Sequence, residues 1–219
     1  MKPGERRERL ARSRLYVVTD AREQQGDLAE FLAEILDAGV DIIQLREKEA
    51  EVADLLRWGE VFREAAARNG ALFILNDRPD VALALDADGL HLGQEDLPPD
   101  EARAFMGPDA ILGLSTHSPQ QWDSAAPEAD YLCAGPVWET PTKPGRPAAG
   151  LDYLRHAAKS GERRPWFAIG GINEDNLPEV LDAGATRIVV VRAVTEAPDP
   201  RSAIIRLSSE LPVRNQPSG

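Results

Sequence analysis

Short apolar runs alternate along this chain with longer segments whose apolar residues recur every three to four positions. Leu15 to Thr19 reads as a buried strand, and Leu28, Phe31, Leu32, Ile35 and Leu36 then fall at helical spacing before Gly39, a βα unit closed by a C-terminal glycine. The same pattern predicts strands at Ile42 to Leu45, Leu72 to Leu75, Gly89 to Leu92, Ile111 to Leu114, Tyr131 to Ala134, Trp166 to Ile169 and Ile188 to Val191. Between them it predicts helices near Val52 to Arg68, Pro79 to Leu85 and Pro99 to Met106. Ser118-Pro119-Gln120-Gln121 reads as a capping box with proline at the first helical position, and a helix begins near Leu151 after a long loop. Leu177, Val180 and Leu181 mark the next helix, and Asp199-Pro200 starts the last.

Continuous, unalternated strands are expected where both faces of a parallel sheet are covered. Eight βα units predict a single (β/α)8 barrel, with a doubly wound open sheet as the competitor. The open sheet would carry Gly-x-Gly-x-x-Gly after its first strand, where Thr19-Asp20-Ala21-Arg22 stands instead. The 219 residues suit one such domain, with the barrel at 14–211 and frayed tails expected at 1–13 and 212–219.

Composition narrows the function. Aromatic residues make up only 5% of the chain, against 42% hydrophobic, so the core is aliphatic and a base-stacking surface is disfavoured. The net charge of −12 argues against nonspecific nucleic-acid binding, so an anionic ligand needs a local cationic site. One charge pair at 4 Å is worth roughly 4 kcal/mol at an effective dielectric near 20, enough to outweigh the screened global charge. Cys133 is the only cysteine, which excludes an intrachain disulfide and suits a reducing, cytoplasmic setting; its apolar surroundings favour a buried spectator over a nucleophile. The acid-containing start lacks the apolar stretch of a signal peptide, and no run approaches the ~20 apolar residues of a membrane span.

Barrel enzymes place their chemistry at the carboxyl ends of the strands. In this chain those ends collect Gln44, Arg46 and Lys48, then Asn76, Asp77 and Arg78, then Gln94, Glu95 and Asp96. Ser115, Thr116 and His117 follow, then Gly135 to Lys143, Ile169-Gly-Gly-Ile172, and Val191-Arg192. Were the second strand to continue, Gln44, Arg46 and Lys48 would share one face; an exposed charged edge strand is the competing explanation. Asp77 and Asp96 suit a hard cation such as Mg²⁺, which is often held by one or two carboxylates together with phosphate oxygens. Each is equally explained as a turn or loop acid. Gly170-Gly171 lies where barrels often bind phosphate, although a tight turn also accounts for it. His91 is expected to be packed or to support other groups, His117 to orient a loop, and their spacing with His156 matches no zinc motif. The four tryptophans read as packing residues, Trp138 nearest the mouth.

Taken in order, Gln44-Leu-Arg-Glu-Lys48, Asn76-Asp77-Arg78, His91-Leu-Gly-Gln-Glu-Asp96, Gly113-Leu-Ser-Thr-His117, Gly135-Pro-Val-Trp-Glu-Thr-Pro-Thr-Lys143 and Ile169-Gly-Gly-Ile172 resemble the thiamine-phosphate synthase family, from about Leu15 to Leu211. The resemblance implies a transferase that joins 4-amino-2-methyl-5-pyrimidinylmethyl diphosphate to a thiazole ethyl phosphate and releases diphosphate. It implies that Gln44, Arg46, Lys48 and Asn76 contact the pyrimidine diphosphate, with Leu45, Glu47 and Pro141 along the same substrate-binding segments. It further implies Asp77 and Asp96 as Mg²⁺ ligands, Ser115 and Lys143 at the diphosphate, and Thr140, Thr142, Gly171, Val191 and Arg192 around the thiazole phosphate. Arg46, Lys48, Ser115 and Lys143 would be the catalytic set. Many relatives carry a small residue at the position of Arg192. Alternatives are a thiazole tautomerase sharing the barrel, an aldolase with Lys48 or Lys143 as Schiff base, and a phosphate-binding regulatory barrel. A homo-oligomer is compatible with the sequence, which does not specify one.

Overall fold

The computed structural model describes residues 4–140 and 147–213. Eight parallel strands close into a barrel in sequence order: β1 (Leu15–Thr19), β2 (Ile42–Leu45), β3 (Leu72–Asn76), β4 (Gly89–Leu92), β5 (Ile111–Thr116), β6 (Tyr131–Ala134), β7 (Trp166–Ile169) and β8 (Ile188–Val190). Helices α1 (Glu5–Arg12), α2 (Leu28–Asp37), α3 (Val52–Asn69), α4 (Pro79–Ala84), α5 (Pro99–Met106), α6 (Pro119–Asp123), α7 (Gly150–Lys159), α8 (Leu177–Asp182), α9 (Arg192–Thr195) and α10 (Pro200–Glu210) complete the fold. The register runs from Tyr16 against Ile42 on β1–β2 round to Leu15 against Ile188 on β1–β8, so no strand is an edge. The open sheet and the charged-edge explanation both fall with that closure.

Alternate strand residues face opposite sides, which divides the core in two. Tyr16, Val18, Ile42, Leu72, Ile74, Ile111, Tyr131, Cys133, Phe167 and Val189 fill the barrel interior. Their neighbours, including Val17, Ile43, Leu45, Phe73, Leu75, Leu112 and Leu132, pack against the helices. Cys133 is therefore a buried interior residue, as its sequence context suggested. The Ser118 side chain accepts from the Gln121 N–H, while the Gln121 side-chain oxygen Oε1 accepts from the His117 N–H, one residue before the position a capping box would use. Asp199 caps α10 by accepting from the Ser202 N–H.

Two expectations need correction, and one helix was not foreseen. The start of the chain is not a frayed tail over Glu5–Arg12 but a helix. Its acids stand in the first turn and Arg9 and Arg12 in the last, matching the helix dipole. Leu10, 2% exposed, joins the barrel-interior cluster from below. Arg6 and Arg7 bond Asp88 and Asp130, at 3.0 and 2.8 Å, and Arg9 donates to the Gly70 carbonyl. A sequence that looks polar all round is thus ordered by one apolar plug and three arginines. Second, β2 ends at Leu45, so Gln44 alone lies in the strand; Arg46 and Lys48 stand in the loop beyond it and form no strand-face row. The short α9, which the apolar pattern does not announce, follows β8 directly.

Candidate active site

The polar residues of the strand ends meet at the carboxyl-end mouth. On the β2–β4 side, the Lys48 ammonium lies 3.5 Å from Asp77. Asp77 takes a left-handed backbone conformation (φ 62°), which aspartate tolerates better than most residues, and its N–H donates to the His91 carbonyl at 3.0 Å. Asp96, 19 positions later in sequence, accepts the Gly93 N–H at 2.6 Å and is within hydrogen-bonding reach of Asp77. Burial, the hydrogen bond with Asp96 and its charge push the Asp77 carboxyl up to about 6, and Lys48 only partly offsets them. Two carboxylates forced together in a half-buried site are a donor set suited to a hard divalent cation, which would take the place of the proton that otherwise relieves their repulsion. Among the described residues no group of three or more His, Cys, Asp or Glu side chains gathers for a metal. Any further oxygen ligands would have to come from water or a bound anion.

No carboxylate or carbonyl among the described residues pairs with the Arg46 side chain, whose N–H on the backbone is held by Thr19 at 3.0 Å. Glu47 turns toward β1 and accepts the Ala21 N–H at 2.9 Å. The Leu45 side chain is fully buried in the layer beneath the helices, so only its backbone is available at the mouth. Asn76 is half-buried at the end of β3.

On the β5–β8 side, a cavity of about 290 Å³ is lined by Ser115, Thr140, Gly170, Gly171, Val191 and Arg192, among others. Gly170 and Gly171 have φ of 107° and 69°, and a Cβ on the first would come within 2.4 Å of Pro136 and on the second within 2.9 Å of Trp138. The pair therefore serves both the turn and the close approach of the β6 loop, whose Val137 and Trp138 N–H groups bond Ile169 and Gly170. Trp138 packs at the mouth, as its position suggested. His117 bonds the Gly135 carbonyl through Nδ1 and so ties β5 to the β6 loop. Pro141, Thr142 and Lys143 lie outside the described residues.

Sequence reasoning missed what connects the two sides. Gln44, Tyr16, Tyr131, His91 and Ser115 form a continuous run of hydrogen bonds across the barrel interior. The signal was faint: two tyrosines inside otherwise aliphatic strands. Asn173, which also lines the cavity, was likewise unmarked.

A family profile described as Thiamine monophosphate synthase matches residues 15–194. The thiamine-phosphate synthase of Acidothermus cellulolyticus is 56% identical over 204 residues, covering 92% of this chain and 96% of that protein. The thiamine-phosphate synthase of Saccharopolyspora erythraea is 57% identical over 213 residues, covering 94% and 96%. Among solved structures, the thiamine phosphate pyrophosphorylase of Pyrococcus furiosus superposes with a TM-score of 0.82 at 38% identity, covering 92% of this chain and 96% of that one. No helix among the described residues is long and apolar enough to cross a membrane.

Proposed function

The chain belongs to the thiamine monophosphate synthase family and is a transferase, and from that premise we propose that it joins 4-amino-2-methyl-5-pyrimidinylmethyl diphosphate to a thiazole ethyl phosphate. The observation that carries this reading is the division of one barrel mouth into two neighbouring halves. One half gathers the paired acids Asp77 and Asp96 with Lys48, from the loop after β2 that also carries Arg46. The other is a cavity bounded by Ser115, Thr140, Gly171, Val191 and Arg192.

In this reading the pyrimidine diphosphate lies on the first half, with Gln44 and Asn76 orienting the ring and Arg46, Lys48, Ser115 and Lys143 meeting the diphosphate. Glu47 and Leu45 act from the same segment, Glu47 by holding the loop after β1 and Leu45 through its backbone. Asp77 and Asp96 would hold Mg²⁺, which when bound supplies positive charge to the departing diphosphate. The thiazole phosphate occupies the cavity, with its phosphate at Gly171 and the backbone of Val191 and Arg192, and Thr140, Pro141 and Thr142 enclosing it.

Reaction begins with cleavage of the bond between the methylene carbon and the diphosphate oxygen, and the electron pair leaves with the diphosphate. Arg46, Lys48 and Lys143 stabilise that charge most as it grows, which lowers the barrier rather than merely tightening binding. The aminopyrimidine spreads the positive charge left at carbon, and the thiazole nitrogen donates its lone pair to form the new carbon–nitrogen bond. No covalent enzyme intermediate is needed. A Schiff-base role for Lys48 fits poorly, since such lysines are desolvated, whereas Lys48 is 50% exposed and ion-paired to Asp77.

The test is to supply the purified chain with both substrates and Mg²⁺. Thiamine phosphate and diphosphate should appear in equal amounts. Consumption of the thiazole alone, or no product at all, would remove the synthase reading.

A further inference from the structure

The barrel interior holds more polar chemistry than filling it requires. Tyr16 and Tyr131 are fully buried and His91 is 7% exposed. Phenylalanine at either tyrosine position would occupy the same space without burying a hydroxyl, which is costly unless bonded. Each hydroxyl is bonded. Gln44 Nε2 donates to the Tyr16 oxygen, the two tyrosine oxygens are 3.1 Å apart, Tyr131 lies 2.9 Å from His91 Nδ1, and His91 Nε2 lies 2.9 Å from Ser115 Oγ.

The amide at the head sets the direction of the whole series. With Gln44 donating to Tyr16, the arrangement that leaves no buried hydroxyl proton without an acceptor has Tyr16 donating to Tyr131 and Tyr131 donating to Nδ1 of His91. A neutral imidazole that accepts at Nδ1 must carry its proton on Nε2, so it donates to Ser115. In that arrangement the Ser115 oxygen accepts from His91 and its own proton can turn toward the cavity that Ser115 lines. Burial raises both phenols above their ordinary range and holds them neutral, so the series orients protons and does not carry charge. Packing fixes its members: the His91 and Tyr131 rings stack at 5.6 Å, and Phe167 meets Tyr16 and Tyr131 edge-on at 5.6 and 5.7 Å. Gly113 leaves room for the Tyr131 ring, since a Cβ there would come within 2.1 Å of it.

We propose that Tyr16, Tyr131 and His91 are positioning residues which link Gln44 to Ser115 and fix the Ser115 hydroxyl as a hydrogen-bond donor to the leaving diphosphate, a role that rests on the substrate assignment above. The series spans the two halves of the mouth, so a change in the bonding of Gln44 reaches Ser115 through four bonds without any backbone movement.

Two measurements test it. The ¹⁵N shifts of His91 in the substrate-free chain should report a proton on Nε2 and none on Nδ1, and Tyr131→Phe should release that preference. This reading is independent of turnover, so it judges the positioning series even where the substrate assignment fails. In turnover, Tyr131→Phe should lower kcat about tenfold with KM for the thiazole phosphate unchanged and thermal unfolding shifted little, and in a Ser115→Ala background it should cost less than about twofold, the non-additivity expected of groups acting as one. Tyr16→Phe, which cuts the series one bond nearer Gln44, should behave the same way and serves where Tyr131→Phe does not fold. A proton on Nδ1, or losses for Tyr131→Phe and Ser115→Ala that simply multiply, would overturn the proposal.

Discussion

At the amino-end mouth of the barrel, Asp41, Asp88 and Asp130 each stand one residue before a strand and accept backbone N–H groups from the strand that precedes it: Arg14 and Leu15, Phe73, and Leu112 respectively. Arginines complete two of these acids, Arg6 on Asp88 and Arg7 and Arg103 on Asp130. Arg187, whose burial lowers its pKa, spends its donors on the Ser13 and Ala11 carbonyls. At the carboxyl-end mouth the same residue types are left in tension. Asp77 and Asp96 crowd each other beside Lys48, and among the described residues no ion pair holds Arg46 or Arg192. Charges satisfied within the chain stabilise it; charges left partly unsatisfied are available for a ligand. The contrast separates the end of the barrel that keeps the fold from the end at which we place the chemistry.

The contrast breaks most sharply at the acids. Asp77→Ala and Asp96→Ala should each reduce Mg²⁺-dependent turnover about a thousandfold, roughly 4 kcal/mol of transition-state stabilisation. Melting temperature should move little in either, because relief of the like-charge contact offsets the left-handed turn and Lys48 pair lost at Asp77 and the Gly93 hydrogen bond lost at Asp96. Steady-state kinetics across a Mg²⁺ titration checks this, and unchanged metal dependence in both variants would refute their proposed role as metal ligands. At the other end, Leu10→Ala should cost about 3 kcal/mol of stability by opening a cavity under the barrel, with kcat per folded molecule unchanged; denaturant unfolding and turnover on one preparation read both quantities. The smallest effect is expected at Arg192, where Arg192→Ala should raise KM for the thiazole phosphate severalfold, about 1 kcal/mol, and leave kcat nearly alone if the backbone makes the main contact. A fall in kcat with KM unchanged would move that side chain toward the diphosphate.

Much of this was legible in the residues. Strands buried on both faces announce themselves as short aliphatic runs, and all eight were placed to within two residues of their observed ends. The paired acids were legible as strand-end residues, but their meeting was not, since it depends on the left-handed turn at Asp77 and on Asp96 folding back to the Gly93 N–H. The row of Gln44, Arg46 and Lys48 was overread. Period-two reasoning holds only while the chain is a strand, and β2 stops at Leu45. The first helix was missed because its order comes from Leu10 and from acids 80 or more residues away in sequence, which no local pattern records. The tyrosine and histidine series escaped for a related reason: aromatic residues in buried strands read as filler until the register brings their hydroxyls together.

The division between the two mouths is tested most directly by titrating Mg²⁺ and diphosphate into the folded chain by calorimetry, comparing the unaltered protein with Arg46→Ala and Arg7→Ala. The account predicts that Arg46→Ala weakens diphosphate binding at least about tenfold, the loss of one charge-assisted contact, while Arg7→Ala, though less stable, binds as the unaltered chain does. Equal affinities in all three, or weakening confined to Arg7→Ala, would contradict it.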